Sequence, residues 1–302
     1  MIVRPRPNLL QLFFITQGSI VPRIVPQILI VGALSIAVVL GHQVWPKVLP
    51  NYSGAPFALL GIAISVFLNF RNSACYDRWW EARRHWGELI LFSRNLSRQT
   101  LVLPADARER LLRLTAAFAH ALVHHLRPAA DETQRVVEFL TPDQAARWRA
   151  ARFPPDTLTQ AMGAELAELR RSGAIGDILF QTLDTTLGEM TMVQTACERI
   201  RTTPVPFGYT LLLHRTAYLF CFLLPFGFAD TLGWATPVAT MLVAYTFFGL
   251  DALGDELEEP FGLRANNLPL SALAQTIEVV VREALREADV PPLPQPQNHV
   301  LS

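Results

Sequence analysis

The stretch from Ala55 to Gly87 constrains the fold of this 302-residue chain more than any other. It reads APFALLGIAISVFLNF and then, with no turn residue between, RNSACYDRWWEARRHWG. An apolar run of membrane grade passes directly into a charged, tryptophan-rich helix, a combination that a soluble core helix does not need. On an α-helix, Ile62, Val66 and Phe70 lie four residues apart and stack on one face, with Asn69 and Arg71 beside the last of them. Gly61, Ala63 and Ser65 fall on other faces, as small residues do where helices pack closely in a membrane. A bulky stripe backed by small residues suits a helix that lines a narrow pore. It also suits the commoner case, a transmembrane helix whose stripe meets lipid or a neighbour, and this segment alone leaves both readings open.

Composition agrees with a membrane class. The chain is 51% hydrophobic and only 17% charged, with positive mean hydropathy, too apolar for an average soluble domain. A formal net charge of zero gives no reason to expect a nucleic-acid partner. Cys75, Cys197 and Cys221 have no metal-ligand spacing, and an odd number makes no disulfide framework, so they are expected to be packed thiols in a reducing compartment. Three prolines and three arginines precede the first apolar run, and no small-residue cleavage site follows it. It is expected to remain as an anchor rather than be removed as a signal peptide.

Four apolar runs stand out, at about 24–41, 55–70, 206–229 and 231–250. Each approaches the ~20 residues that span hydrocarbon, and the second, being short, can continue as a helix into water. The third carries His214 and Arg215 and is expected to kink or break near Pro225. Arg4, Arg6 and Arg23 precede the first run, Arg71, Arg78, Arg83 and Arg84 follow the second, and Arg199 and Arg201 precede the third. The opposite loops hold only Lys47 and Asp230, so both termini and the polar region of about 71–204 are expected to be cytoplasmic. That region reads as helical over Arg108–Leu126, Pro154–Gly173 and Asp177–Arg201. No alternation suggests a sheet, no internal repeat is visible, and the proline-rich tail, 291–302, reads as extended or disordered.

The chemical constellations are weak. His120, His124 and His125 put two imidazoles four apart on one helix face, a spacing that can bind zinc, but no carboxylate is expected near them as a general base and no HExxH pattern exists. A helix-packing or solvated role is preferred. No G-x-S-x-G, glycine-rich phosphate loop or CxxC pair is present, so the chain does not read as an enzyme, and no metal or cofactor is expected. Asp251, Asp255, Glu256, Glu258 and Glu259 put five carboxylates in nine residues, enough for a hard cation but also the composition of a solvated helix face ending at Pro260. His214 and Arg215 are costly in lipid and must face protein or water, with a structural contact preferred over an ion site. Trp79, Trp80 and Trp86 read as membrane-interface anchors.

Three long motifs, in order, carry a resemblance. FLNFRNSACYDRWWEARRHWG (67–87), CERIRTTPVPFGYTLLLHRTAYLFCFLLPFG (197–227) and ELEEPFGLRANNLPL (256–270) resemble the bestrophin family, specifically its bacterial branch. The likeness covers nearly the whole chain except the extreme C-terminal tail.

The resemblance implies an all-α membrane protein, residues 1–302 forming one protomer with four transmembrane helices and a helical cytoplasmic region, pentameric around a central pore. It implies a bacterial inner-membrane location and passive flow of small monovalent ions, chloride as in animal bestrophins or Na+/K+ as in some bacterial relatives. Counting back from Arg78-Trp79-Trp80, the family's three neck positions fall on Ile62, Val66 and Phe70. The cytoplasmic aperture best matches Ile178, with Asp177 beside it as a candidate charge selector. The calcium clasp of animal bestrophins would fall on Leu263, Arg264, Ala265, Asn266 and Asn267, which hold no carboxylate, so that clasp is expected to be absent. The rival reading is a non-conducting membrane scaffold or a secondary carrier, although a carrier would usually show inverted repeats.

Overall fold

The computed structural model describes residues 1–5, 7–45 and 54–301. Arg6 and Lys47, both part of the charge argument for topology, and Ser302 of the tail lie outside the described residues. The described residues are predominantly helical, with eleven α-helices and isolated bridges but no strand among them. The chain divides into two compact units, 5–79 with 204–259 and 80–203 with 260–302 and 1–4.

The first unit contains Leu9–Phe14 (α1), Val21–Val44 (α2), the opening part of Gly54–Gln99 (α3), Phe207–Leu232 (α9) and Thr236–Glu258 (α10). Three stretches are long and apolar enough to cross a membrane: Val21–Val44, Gly54–Val102 and Phe207–Glu258. The last is α9 and α10 joined by the 3₁₀ turn Gly233–Ala235, so the three stretches hold all four apolar runs of the sequence. The turn needs glycine, because Gly233 has φ +51°, a conformation in which a Cβ is strained.

A break near Pro225 does not occur. The helix α9 is continuous through Pro225, which is buried beside Leu224. A proline removes one backbone donor, but packing of the flanking apolar residues can carry a membrane helix across it. The core is apolar: Ile24 and Val31 of α2, Ile64 and Leu68 of α3, Phe220 and Leu224 of α9, and Phe247 and Phe248 of α10. Small and hydroxyl residues allow close approach of α2 and α10. A Cβ at Gly32 would lie 2.7 Å from Met241 Sδ, and Ser35 Oγ lies 2.7 Å from Thr240 Oγ1.

The second unit is built from the rest of α3, Ala105–Leu126 (α4), Thr133–Glu138 (α5), Pro142–Ala150 (α6), Pro154–Arg171 (α7), Asp177–Thr202 (α8) and Leu270–Ala284 (α11). The three expected polar-region helices correspond to α4, α7 and α8. Local chemistry sets several ends: Thr141 and Gln144 form a reciprocal capping box at α6, and α7 opens on Pro154-Pro155. The amphipathic α4 packs against α7 and α11, burying Leu111, Leu112, Phe118, Leu122, Leu158, Met162 and Ile277. Trp86 is fully buried in this unit and is a core residue, which corrects its reading as an interface anchor. All three cysteines are buried free thiols, and burial pushes Cys197 well above the ordinary thiol range. Residues 291–296 carry no regular structure, Asn298 and His299 turn the chain at positive φ so that Gln297 and Val300 pair, Val300 is also bridged to Ile2, and Leu301 N–H donates to Met1 O at 2.8 Å.

Candidate functional site

The helix α3 has two contrasting faces. Ile64, Leu68, Arg71 and Cys75 are buried, a stripe at positions i, i+4, i+7 and i+11. At 3.6 residues per turn, Ile62, Val66 and Phe70 fall on the opposite side, roughly 170° away. They are 64%, 47% and 60% exposed. The three are therefore on the face of α3 that this protomer leaves uncovered. Gly61 packs elsewhere, since a Cβ there would lie 3.0 Å from the Phe220 ring.

One residue beyond Phe70 the character changes completely. Arg71 is fully buried, and its guanidinium reaches three carboxylates of α10: Nη1 lies 2.9 Å from Asp251 Oδ1, and Nη2 lies 2.6 Å from Asp255 Oδ1 and 3.5 Å from Glu258 Oε2. Gly254 makes room, because a Cβ there would sit 3.0 Å from Arg71 Nη1. Arg23 of α2 pairs with Asp255, Arg78 Nε donates to Glu258 O at 3.3 Å, and His214 Nδ1 lies 2.6 Å from the other oxygen of Asp251. Asp251, Asp255 and Glu258 are therefore neither a solvated face nor a free cation site. They form a lattice with arginines that ties α2, α3, α9 and α10 together, with Arg71 turned inward. Of the costly pair in α9, His214 makes the preferred structural contact, while Arg215 is exposed.

In the second unit, Asp177 and Ile178 open α8. Ile178 is 84% exposed. Asp177 is also exposed, but its Oδ1 accepts from Arg170 Nε at 2.5 Å, so its charge is paired rather than isolated. Sequence spacing concealed this partner, because seven residues across a helix break have no fixed geometry.

His120 departs most from expectation. Two carboxylates, distant in sequence, flank it: Glu132 Oε2 lies 3.1 Å from Nδ1 and Glu278 Oε2 lies 2.9 Å from Nε2. The expectation that no carboxylate lies near these histidines is therefore wrong for His120, whose partners are brought to it by the fold and not by the local sequence. Arg135 lies 3.2 Å and Arg282 2.9 Å from Glu278, and both His120 and Arg282 lie against the Phe139 ring. Burial opposes the imidazolium, but hydrogen bonds and charge from both glutamates outweigh it and raise His120 above the ordinary histidine range. Burial likewise opposes ionisation of Glu132 and Glu278, yet hydrogen bonds from His120 hold both below the ordinary carboxylate range. This is a buried ionic core, with no group of three or more His, Cys, Asp or Glu placed to hold a metal among the described residues.

Segment 260–268 is held by a cation of the protein itself. Arg127 is buried and donates to Phe261 O at 2.9 Å and to Leu268 O at 2.8 Å, while Asn267 Oδ1 accepts from Arg264 N–H at 2.7 Å. A fixed guanidinium beside carbonyls and amides is a poor setting for calcium, which needs several anionic or neutral oxygens turned towards it.

Comparison with known proteins agrees with this architecture. A family model described as Bacterial/Fungal Bestrophin protein matches residues 1–283. A Mesorhizobium japonicum protein named a voltage-dependent anion channel-forming protein is 48% identical, covering 97% of this chain and 95% of its own. The Escherichia coli K12 protein YneE, named likewise, is 40% identical over 99% of each. A crystal structure of a bacterial bestrophin homologue from Klebsiella pneumoniae superimposes with a TM-score of 0.85 at 39% identity, covering 88% of this chain and all of the other. The family and these names are those of channels, not enzymes. With its membrane-length apolar helices, the chain is a membrane protein and belongs to the bacterial and fungal bestrophin family.

Proposed function

We propose that the chain is the protomer of a homopentameric ion channel of the bacterial inner membrane, passing small monovalent ions passively. Four helices, α2, the first part of α3, α9 and α10, would cross the bilayer, with both termini and the polar region cytoplasmic. The observation that carries the reading is the uncovered apolar stripe of Ile62, Val66 and Phe70, opposite the buried face of the same helix. Repeated around an axis, the stripe makes a dry collar that offers an ion no replacement for its hydration shell and gates by dewetting or small changes of diameter. Ile178, exposed at the start of α8, would form the cytoplasmic aperture.

Ion sign has support on both sides. The relatives' names are those of anion channels, which favours chloride. The exposed Asp177 favours cations, but its ion pair with Arg170 weakens it as a selector. No calcium dependence through the animal clasp is proposed.

The test is a planar-bilayer recording of the purified, reconstituted protein under a KCl gradient, with subunit number counted by native mass spectrometry. Currents reversing between or at the potassium and chloride potentials, from a particle of five subunits, support the reading. Intact assemblies that never conduct favour the scaffold, and transport that saturates and exchanges substrates without a unitary current favours the carrier.

A further inference from the structure

We propose that Asp77 lines the ion pathway beyond the neck and biases it towards cations. The proposal rests on the channel reading and adds a selectivity residue to it. On α3, Asp77 lies seven residues after Phe70 and eleven after Val66, both spacings that return to the same helix face. That puts the carboxylate on the Ile62–Val66–Phe70 stripe, about 10 Å further along the axis. Asp77 is exposed, and its carboxylate makes no hydrogen bond or ion pair among the described residues.

Its situation differs from that of the acids around it. Asp251, Asp255 and Glu258 are held by Arg71 and Arg23, and Asp177 is paired with Arg170. The cations next along the helix are also committed: Arg71 points into the core, and Arg78 donates to a backbone carbonyl of α10. Thus, of the charges just past the apolar stripe, the one presented on the stripe's own face is negative. Five copies around an axis form a carboxylate ring of the kind that concentrates cations and repels anions. In an aqueous vestibule the effect acts over about 10 Å at 0.1 M salt and is screened as salt rises.

The test uses the full-length reconstituted protein and Asp77→Asn in a planar bilayer under a KCl gradient. Neutralisation is expected to lower the potassium-to-chloride permeability ratio by about threefold at about 0.02 M salt, with the difference vanishing near about 1 M. Asp77→Cys gives a second readout, since the native cysteines are buried. A negatively charged methanethiosulfonate should restore the cation bias, and a positively charged one should reverse it. A conducting Asp77→Asn channel with unchanged reversal at low salt, or an Asp77→Cys thiol that does not react, overturns the proposal and leaves the channel reading standing. A shift with Asp177→Asn but none with Asp77→Asn places the selector at Asp177 instead. Silence of both the native protein and its Ile62/Val66/Phe70 alanine variant removes the pathway and, with it, any role for Asp77 in permeation.

Discussion

Arg71 Nη1 lies 2.9 Å from Asp251 Oδ1, with both side chains buried, in the residue immediately after the exposed Phe70. One peptide unit thus separates a side chain this protomer leaves uncovered from a charge in its interior. The helical step of 100° per residue accounts for that contrast. It also makes the ion lattice a register lock, because rotating α3 to bury Phe70 would pull Arg71 from its carboxylates.

Arg71→Ala should therefore be severely destabilising. Removing the guanidinium leaves Asp251 with only His214 and Asp255 with only the part-exposed Arg23, and takes away the one cation that joins them, a loss of about 3–5 kcal/mol. Arg71→Lys should recover only part of it, since an ammonium cannot make the forked contact. Thermal unfolding in detergent reads this, and a variant melting within a degree or two of the native protein would contradict the lattice's structural role.

Stability should depend on pH through His120. Its pKa is raised on folding, so its contribution is complete below the ordinary value of 6.5 and fades as pH rises through the higher folded value. Glu132 and Glu278 are lowered, so theirs is present above 4.5 and fades as pH falls through their depressed folded values. The two effects overlap most fully between pH 4.5 and 6.5. His120→Gln should cost about 3 kcal/mol by removing the imidazolium that bridges Glu132 and Glu278, with Arg135 and Arg282 left against Glu278, and should flatten the alkaline side of the melting-temperature profile. A mutant retaining the native alkaline slope would mean that another group titrates there.

Calcium should leave the protein unchanged. Leu263 to Asn267 supply no carboxylate, and Arg127 already holds the carbonyls on either side. Melting temperature and conductance should be the same in calcium and in chelator. A conductance that rises steeply with micromolar calcium would reveal a site elsewhere.

Period and polarity made much of this legible. The two faces of α3 follow from residues four and seven apart, and α4, α7 and α8 show their apolar spacing locally. Asp77 was legible by the same count, seven residues beyond Phe70, but its isolation was not, because that depends on where every nearby arginine goes. The partners of His120 are 12 and 158 residues away, and no local pattern encodes them. At Pro225 the break, one of two outcomes the local rule allows, does not occur, because packing carries the helix across it. The helix α11, absent from the expected elements, has a clear stripe in Leu270, Ala274, Ile277 and Val281.

In the proposed channel the exposed face of α3, and not its buried face, meets the ions. The most direct measurement compares single-channel conductance and melting temperature for Ile62→Ala/Val66→Ala/Phe70→Ala with those of Leu68→Ala. Truncating exposed side chains should change stability by only about 0.5 kcal/mol per site while raising conductance through a wider collar. Leu68→Ala, in the core, should cost about 2–5 kcal/mol and leave the conductance of surviving channels unchanged. A correctly assembled triple variant with native conductance would contradict the account, and the stripe would then be a face for lipid or a neighbouring helix.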